Sequence, residues 1–217
     1  MRDYLLAALL GVALLAGCGG GSSLVDTGRP AGTEPMTDVP SLSRIVIPPA
    51  PGAGTETYTN TALGFSLQFP AEQFALFDPP QYVTTLGNRV VELVQRTLPE
   101  GEIFRPNVGL ITDDRFIGQV NIEAYADAAP PILSDFFVEF TLVDRRSFLI
   151  SGRPAVLLEH LSSWEAPDGT VVPFHRYTVY TANDEDIILI FTFTAPRAVF
   201  ESVQPVFDDI IESITLL

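Results

Sequence analysis

His160 and His175 are the only two imidazoles in the 217-residue sequence, so any acid–base or metal chemistry that needs one must use this pair. They lie in "PAVLLEHLSSW" and "VVPFHRYTVYTA", on either side of "EAPDGT". A two-residue turn at Asp168-Gly169 makes this stretch a hairpin, with His160 opposite Tyr177 and His175 opposite Ser162. The two rings are then diagonal neighbours on one face, within ~7–8 Å of each other. Zinc would require a third Asp, Glu, His or Cys. Glu159 points to the opposite face by strand alternation, and Ser162, Trp164 and Tyr177 are poor ligands. His160, His175 and Tyr177 therefore form a candidate surface for a metal ion or small ligand, against the simpler expectation of a polar, aromatic sheet face. Trp164, near the end of the hairpin, is a candidate partner contact, because tryptophan is enriched at interface hot spots. Glu159 and Arg176 are expected to pair across the hairpin, contributing at most ~1 kcal/mol if exposed.

Other chemistries find less support. No G-x-S-x-G elbow occurs, since "GFSLQ" at Gly64 to Gln68 lacks the last glycine and falls in a core strand. No phosphate-binding or dinucleotide glycine motif is present. All twelve basic residues are arginine, which excludes Schiff-base and lysine-base mechanisms. The carboxylates cluster at Asp113-Asp114, at Asp184 to Asp186 and at Asp208-Asp209. These are the places where calcium or another divalent cation would find oxygen ligands, although none has EF-hand spacing. A solvated hairpin tip at "NDED" and the wet side of a helix at Asp208-Asp209 are the simpler expectations. No catalytic residue is assigned.

The elements that must position these residues follow from periodicity. "YTNTALGFSLQFP" places Phe65, Leu67 and Phe69 on one face of a strand that Pro70 stops. "RVVELVQRT" and "NVGLIT" read as two further strands. "NIEAYADAAPPILSDFF" reads as helical, with Asn121 as N-cap, Glu123 in the first turn, and Pro130 and Pro131 kinking or restarting the helix. Residues 140–151, 154–164, 171–182 and 186–195 read as four hairpin-connected strands, an antiparallel meander. The closing "RAVFESVQPVFDDIIESITLL" carries Val199, Phe200, Val203, Val206, Phe207, Ile210, Ile211 and Ile214 at helical spacing. That stripe must lie across the sheet and leave Asp208, Asp209 and Glu212 in water. Pro205 either kinks this helix or opens its main segment.

The single cysteine, Cys18, follows a thirteen-residue apolar run from Leu5 to Gly17. The run is too short for the ~20 residues of a spanning helix and reads as a secretory signal peptide over residues 1–17. Its end, "LAGC", resembles the bacterial lipobox, and that resemblance implies cleavage before Cys18 and lipidation of its thiol. With Cys18 so used, no disulfide can form within the chain, and the fold must rest on its core. Residues 18–56 are rich in Gly, Pro, Ser and Thr and read as a disordered tether, spanning on the order of 35 Å as a random coil. "IVIPPAPG", from Ile45 to Gly52, is the part expected to dock locally. Gly19 after the anchor lacks the aspartate that retains some lipoproteins at an inner membrane. Outer-membrane placement facing the periplasm is therefore expected in a two-membrane cell, and the outer face of the cell membrane otherwise. A formal net charge of -15 argues against nucleic acid as a partner.

In order, "YTNTALGFSLQFP", "PNVGL", a helix, "FLISGRPAVLLEH" with Gly152 at the turn, a long hairpin and "FESVQPVFDDIIESI" resemble the PsbP-like family over residues 57–217. That family includes lipoproteins of the LpqN kind, the extrinsic photosystem II protein and a Ran-binding nuclear import factor. The resemblance implies an α+β fold, an antiparallel sheet flanked by helices in an α/β/α sandwich, and members that act by binding without chemistry. The expectation is an outward-facing, lipid-anchored module that binds an envelope protein partner. A carrier of a small ligand or metal ion is the second expectation, and a hydrolase with an unmarked site the third.

Overall fold

Alternating aromatic and β-branched residues pair into two antiparallel sheets, with amphipathic segments as the helices that cover them. The computed structural model describes residues 47, 50, 52–78, 89–165 and 169–217. The elements are β1 (Thr55–Asn60), β2 (Phe65–Pro70), β3 (Phe74–Phe77), β4 (Arg89–Gln95), β5 (Asn107–Asp113), α1 (Ile122–Asp127) and α2 (Ala129–Phe136). The long meander follows as β6 (Glu139–Ile150), β7 (Arg153–Glu165), β8 (Val171–Ala182) and β9 (Ile188–Pro196). A 3-10 turn at Arg197–Val199 leads into α3 (Phe200–Ser213), and β10 (Thr215–Leu216) closes the chain.

Seven strands form the main sheet in the order β3-β4-β5-β9-β8-β7-β6, and β1-β2-β10 form a smaller one. α3 and the smaller sheet pack on one face of the main sheet, where Phe65, Leu67, Phe74, Phe191, Phe193, Phe200 and Phe207 are fully or almost fully buried. α1 and α2 cover part of the other face through Tyr125, Ala126, Ala129 and Leu133 against Tyr180, Ile188 and Ile190. This is the expected α+β sandwich. Burying large aromatics on both faces supplies the hydrophobic drive that a chain without disulfides needs.

Local signals act as the sequence suggests. The side chain of Asn121 accepts from the Ala124 N–H at 3.0 Å and caps α1. The helical segment breaks at Ala128 and restarts as α2, with Pro130 and Pro131 in the first turn, where a missing N–H costs little. Ser151 and Gly152 both have positive φ, 50° and 82°, the mirror-image geometry that a tight β6–β7 hairpin demands. α3 continues past Pro205, which neither opens nor ends it, with Phe200, Val203, Phe207, Ile210 and Ile211 buried as the stripe requires.

Three details differ from expectation. β1 begins at Thr55, inside the stretch assigned to the tether, because Thr55 and Glu56 pair with Pro70 and Phe69. β3 is a four-residue strand too short to show a period, and it pairs with β4. The β7–β8 register places Glu159 opposite Tyr177, His160 opposite Arg176 and Leu161 opposite His175, with Glu165 and Val171 the last pair. Five residues, 166–170, thus connect the strands where two were expected. Of these, 166–168, including Asp168, lie outside the described residues.

Candidate binding site on the β6 and α3 face

The one-residue change in register sends the two histidines to opposite faces of the sheet. His160 faces α2 with Arg176, and His175 faces α3 with Glu159 and Tyr177. A single ion cannot be held by both across a sheet, so the expected diagonal pair does not form. The same shift separates Glu159 from Arg176. Glu159 instead accepts from His175 Nε2 at 2.7 Å, and the Arg176 guanidinium lies 4.6 Å from the Phe137 ring and 4.8 Å from that of Phe174. Trp164, opposite Val172 on β7, is partly buried. Among the described residues no group of three His, Cys, Asp or Glu is placed to hold a metal ion.

His160 is 1% exposed, and its Nε2 lies 3.2 Å from Thr178 Oγ1. The residue types are those of a nucleophile and its base. Burial, with the nearby Arg176 cation and then His175, pushes the His160 pKa down to about 3. The gap beside it, walled by Leu133, Phe137, Arg176 and Tyr180, holds about 10 Å³. That is room for about one water, and no substrate reaches this pair as it stands.

On the opposite face His175 and Glu159 are partly exposed, while Tyr177 is buried beneath them. The His175 ring stacks on Phe200 at 3.6 Å between centroids and 15° between planes. Tyr177 meets Phe200 edge-on at 5.1 Å, and burial followed by the charges of Glu159 and Asp208 pushes its hydroxyl pKa up to about 12. Arg146 on β6 reaches over the Tyr177 ring at 5.9 Å and is held by Asp144 at 3.2 Å.

From Arg146 a groove of about 750 Å³ runs between β6 and α3. Its lining includes Phe148, Ile150, Leu157, Ile211 and Ile214, with Arg146, Asp208 and Glu212 as the charged groups. That volume lies within the range of ligand-binding clefts, roughly 300–1,000 Å³. Asp208 is not fully in water as expected. Burial comes first, and the carboxylates of Glu212 and Asp209 add to it, raising the Asp208 pKa from its ordinary value against the pull of Arg146 and a hydrogen bond from Gln204. Asp209 and Glu212 are exposed.

The other acidic clusters have structural partners. Asp113, 3% exposed, accepts from Arg115 at 2.8 and 2.7 Å and from the Tyr125 hydroxyl at 3.0 Å. Burial alone would raise its pKa, but these donors together hold it below the ordinary value. Asp184 is bonded by Arg153, and Asp186 accepts from the Gly118 N–H. Cys18 and the signal segment lie outside the described residues, as does most of the tether. Ile47, from the stretch expected to dock, packs on Ala75, Phe77 and Val94.

Sequence reasoning missed the groove. Its acids, Asp208 and Glu212, had the signature of a wet helix face, and Arg146 that of an ordinary strand charge. What brings them together is sheet order: β9 pairs with β5, which leaves β6 at an edge beside α3.

The architecture is that of the PsbP-like fold. The cyanobacterial PsbP protein CyanoP from Synechocystis sp. PCC 6803 has this fold, with a TM-score of 0.54 at 13% identity, over 76% of this chain and 94% of that one. LpqN, involved in cell envelope biogenesis of Mycobacterium tuberculosis, aligns at 0.45 and 14% identity, over 76% of this chain and 84% of that one. The Saccharomyces cerevisiae Ran-binding protein Mog1p aligns at 0.45 and 8%, over 76% and 96%. No family model and no curated protein sequence matches the chain.

Proposed function

We propose that this chain is a binding or accessory module of the cell envelope, tethered by a lipid on Cys18 and engaging a protein partner through the β6 and α3 face. The observation that carries the reading is the open groove of about 750 Å³, apolar in its floor and charged at its rim. The polar groups around it hold one another, His175 with Glu159 and Arg146 with Asp144. They form a recognition surface without an activated nucleophile. The lipobox-like "LAGC", the Gly- and Pro-rich stretch after it, and the distance such a stretch spans support a head that stands off a membrane. Among the described residues no helix is long and apolar enough to cross a membrane.

A photoreactive residue at Leu149, 67% exposed on the strand that walls the groove, is expected to crosslink a discrete protein in cells. The same residue at Ile117, 58% exposed on a loop after β5, is not. Equal labelling at the two positions would contradict the assignment. Cys18→Ser should release the chain from the membrane fraction, and full retention would contradict the anchor. The groove volume also suits a small ligand. A thermal shift of several degrees with one compound from a panel of envelope metabolites and divalent cations would favour that second reading.

A further inference from the structure

We propose that the Arg146–Ile150 half of β6 accepts an extended segment of a partner protein as an added edge strand, with a basic side chain of that segment lying in the groove against Asp208 and Glu212. This rests on the binding-module reading above and specifies its ligand.

β6 ends the seven-stranded sheet, and among the described strands it pairs only with β7. An edge strand offers a row of backbone N–H and C=O groups that another chain can pair with. Proteins guard such edges with bulges and charges, and the first half of β6 has both. Its pairing with β7 shifts between Leu142 and Asp144, and Asp144, Arg145 and Arg146 follow. Arg145 is turned to the far face, where Asp127 holds it at 2.8 Å and Glu123 holds it as well. Beyond Arg146 the guard stops. Ser147, Phe148, Leu149 and Ile150 pair regularly with Val156, Ala155, Pro154 and Arg153, and Leu149 is 67% exposed.

The unguarded residues are also the wall of the groove. Side chains of an added strand alternate between the two faces of the sheet. On the α3 side, arginine or lysine stems can cover Phe148, Ile150 and Ile211 while their heads reach Asp208 and Glu212. These two acids are one helical turn apart and repel each other until a cation sits between them. On the other side, aliphatic residues cover Leu149. The partner segment is therefore one in which basic and aliphatic residues alternate. A net charge of -15 steers such a segment toward this chain and opposes a second copy of the chain as occupant.

The test uses the full-length chain in detergent and three labelled synthetic peptides: alternating Arg and Val, the same composition with the residues in two blocks, and alternating Glu and Val. The alternating basic peptide is expected to bind by fluorescence anisotropy and to protect backbone amides within 146–150 from hydrogen exchange. Asp208→Asn with Glu212→Gln, both outside the buried core, should weaken that binding by about tenfold or more. Equal binding of the block peptide, binding without protection of β6, or binding indifferent to the double substitution overturns the proposal. So does no binding at all, while crosslinking from Leu149 in cells would still stand and leave the binding-module reading intact. Protection of β6 that rises with protein concentration in the absence of peptide would assign the edge to a second copy, and would also overturn it.

Discussion

His160 sits neutral in the core because charging it there would strand a cation beside Arg176 with little water to stabilise it. Its folded pKa of about 3 lies below the ordinary imidazole value of 6.5. Between those values the unfolded chain holds one more proton than the folded chain, so this group costs stability as pH falls through that window. The slope approaches about 1.4 kcal/mol per pH unit for a single site. His160→Gln keeps a polar group for Thr178 and removes the titration. Urea midpoints should fall less steeply for this variant than for the parent between pH 6.5 and 4.5, a window set by His160 itself. Parallel slopes would show that His160 does not hold its proton deficit in the fold. A histidine in an apolar strand was visible in the sequence, but the face it would take was not. That depended on one residue of register, set by a connection whose length the Asp168-Gly169 pair misreported.

At the scale of elements, α1 is tied to the end of β5 by a buried polar cluster and not by apolar contact alone. Asp113 accepts from Arg115 and Tyr125, and Tyr125 in turn packs against Tyr180 of the main sheet, 5.7 Å between ring centroids. Asp113→Ala would leave the buried Tyr125 hydroxyl without its acceptor, while the Arg115 guanidinium, about a third exposed, turns to water. Leaving a buried hydroxyl unsatisfied costs about 1–3 kcal/mol. Chemical denaturation should show a loss of that order, with hydrogen exchange rising first in α1. A change of less than about 1 kcal/mol would mean that apolar burial alone holds the helix. The local signals for these elements were legible because each rests on neighbouring residues: Asn121 as a cap, the Pro130-Pro131 restart, the Ser151-Gly152 turn and the α3 stripe. β3 was not legible, since Phe74–Phe77 is stabilised by pairing with β4 and not by a period of its own. Acids along "DDIIES" on an apolar helix suggested a solvated face, but the proximity of β6 makes Asp208 part of a wall.

For the whole molecule, the decisive fact is non-local: β5 reaches across the sequence to β9, and the meander then runs outward until β6 has no outer neighbour among the described strands. Sequence order gives consecutive hairpins readily, yet it does not say which end of a meander meets the rest of the sheet. The fold class could be read before the edge could, and the edge is where the proposed binding surface lies. One face of the sheet carries α3, the smaller sheet and the groove, and the other carries α1, α2 and the sealed histidine. A domain built this way presents an acidic groove and an edge strand together. Hydrogen exchange of the full-length chain, compared between membranes of its own cells and the purified protein, tests this most directly. Protection gained in the membrane and confined to β6 and the exposed side of α3 is the result expected. Identical exchange in the two states, or protection gained only around α1 and α2, would contradict it.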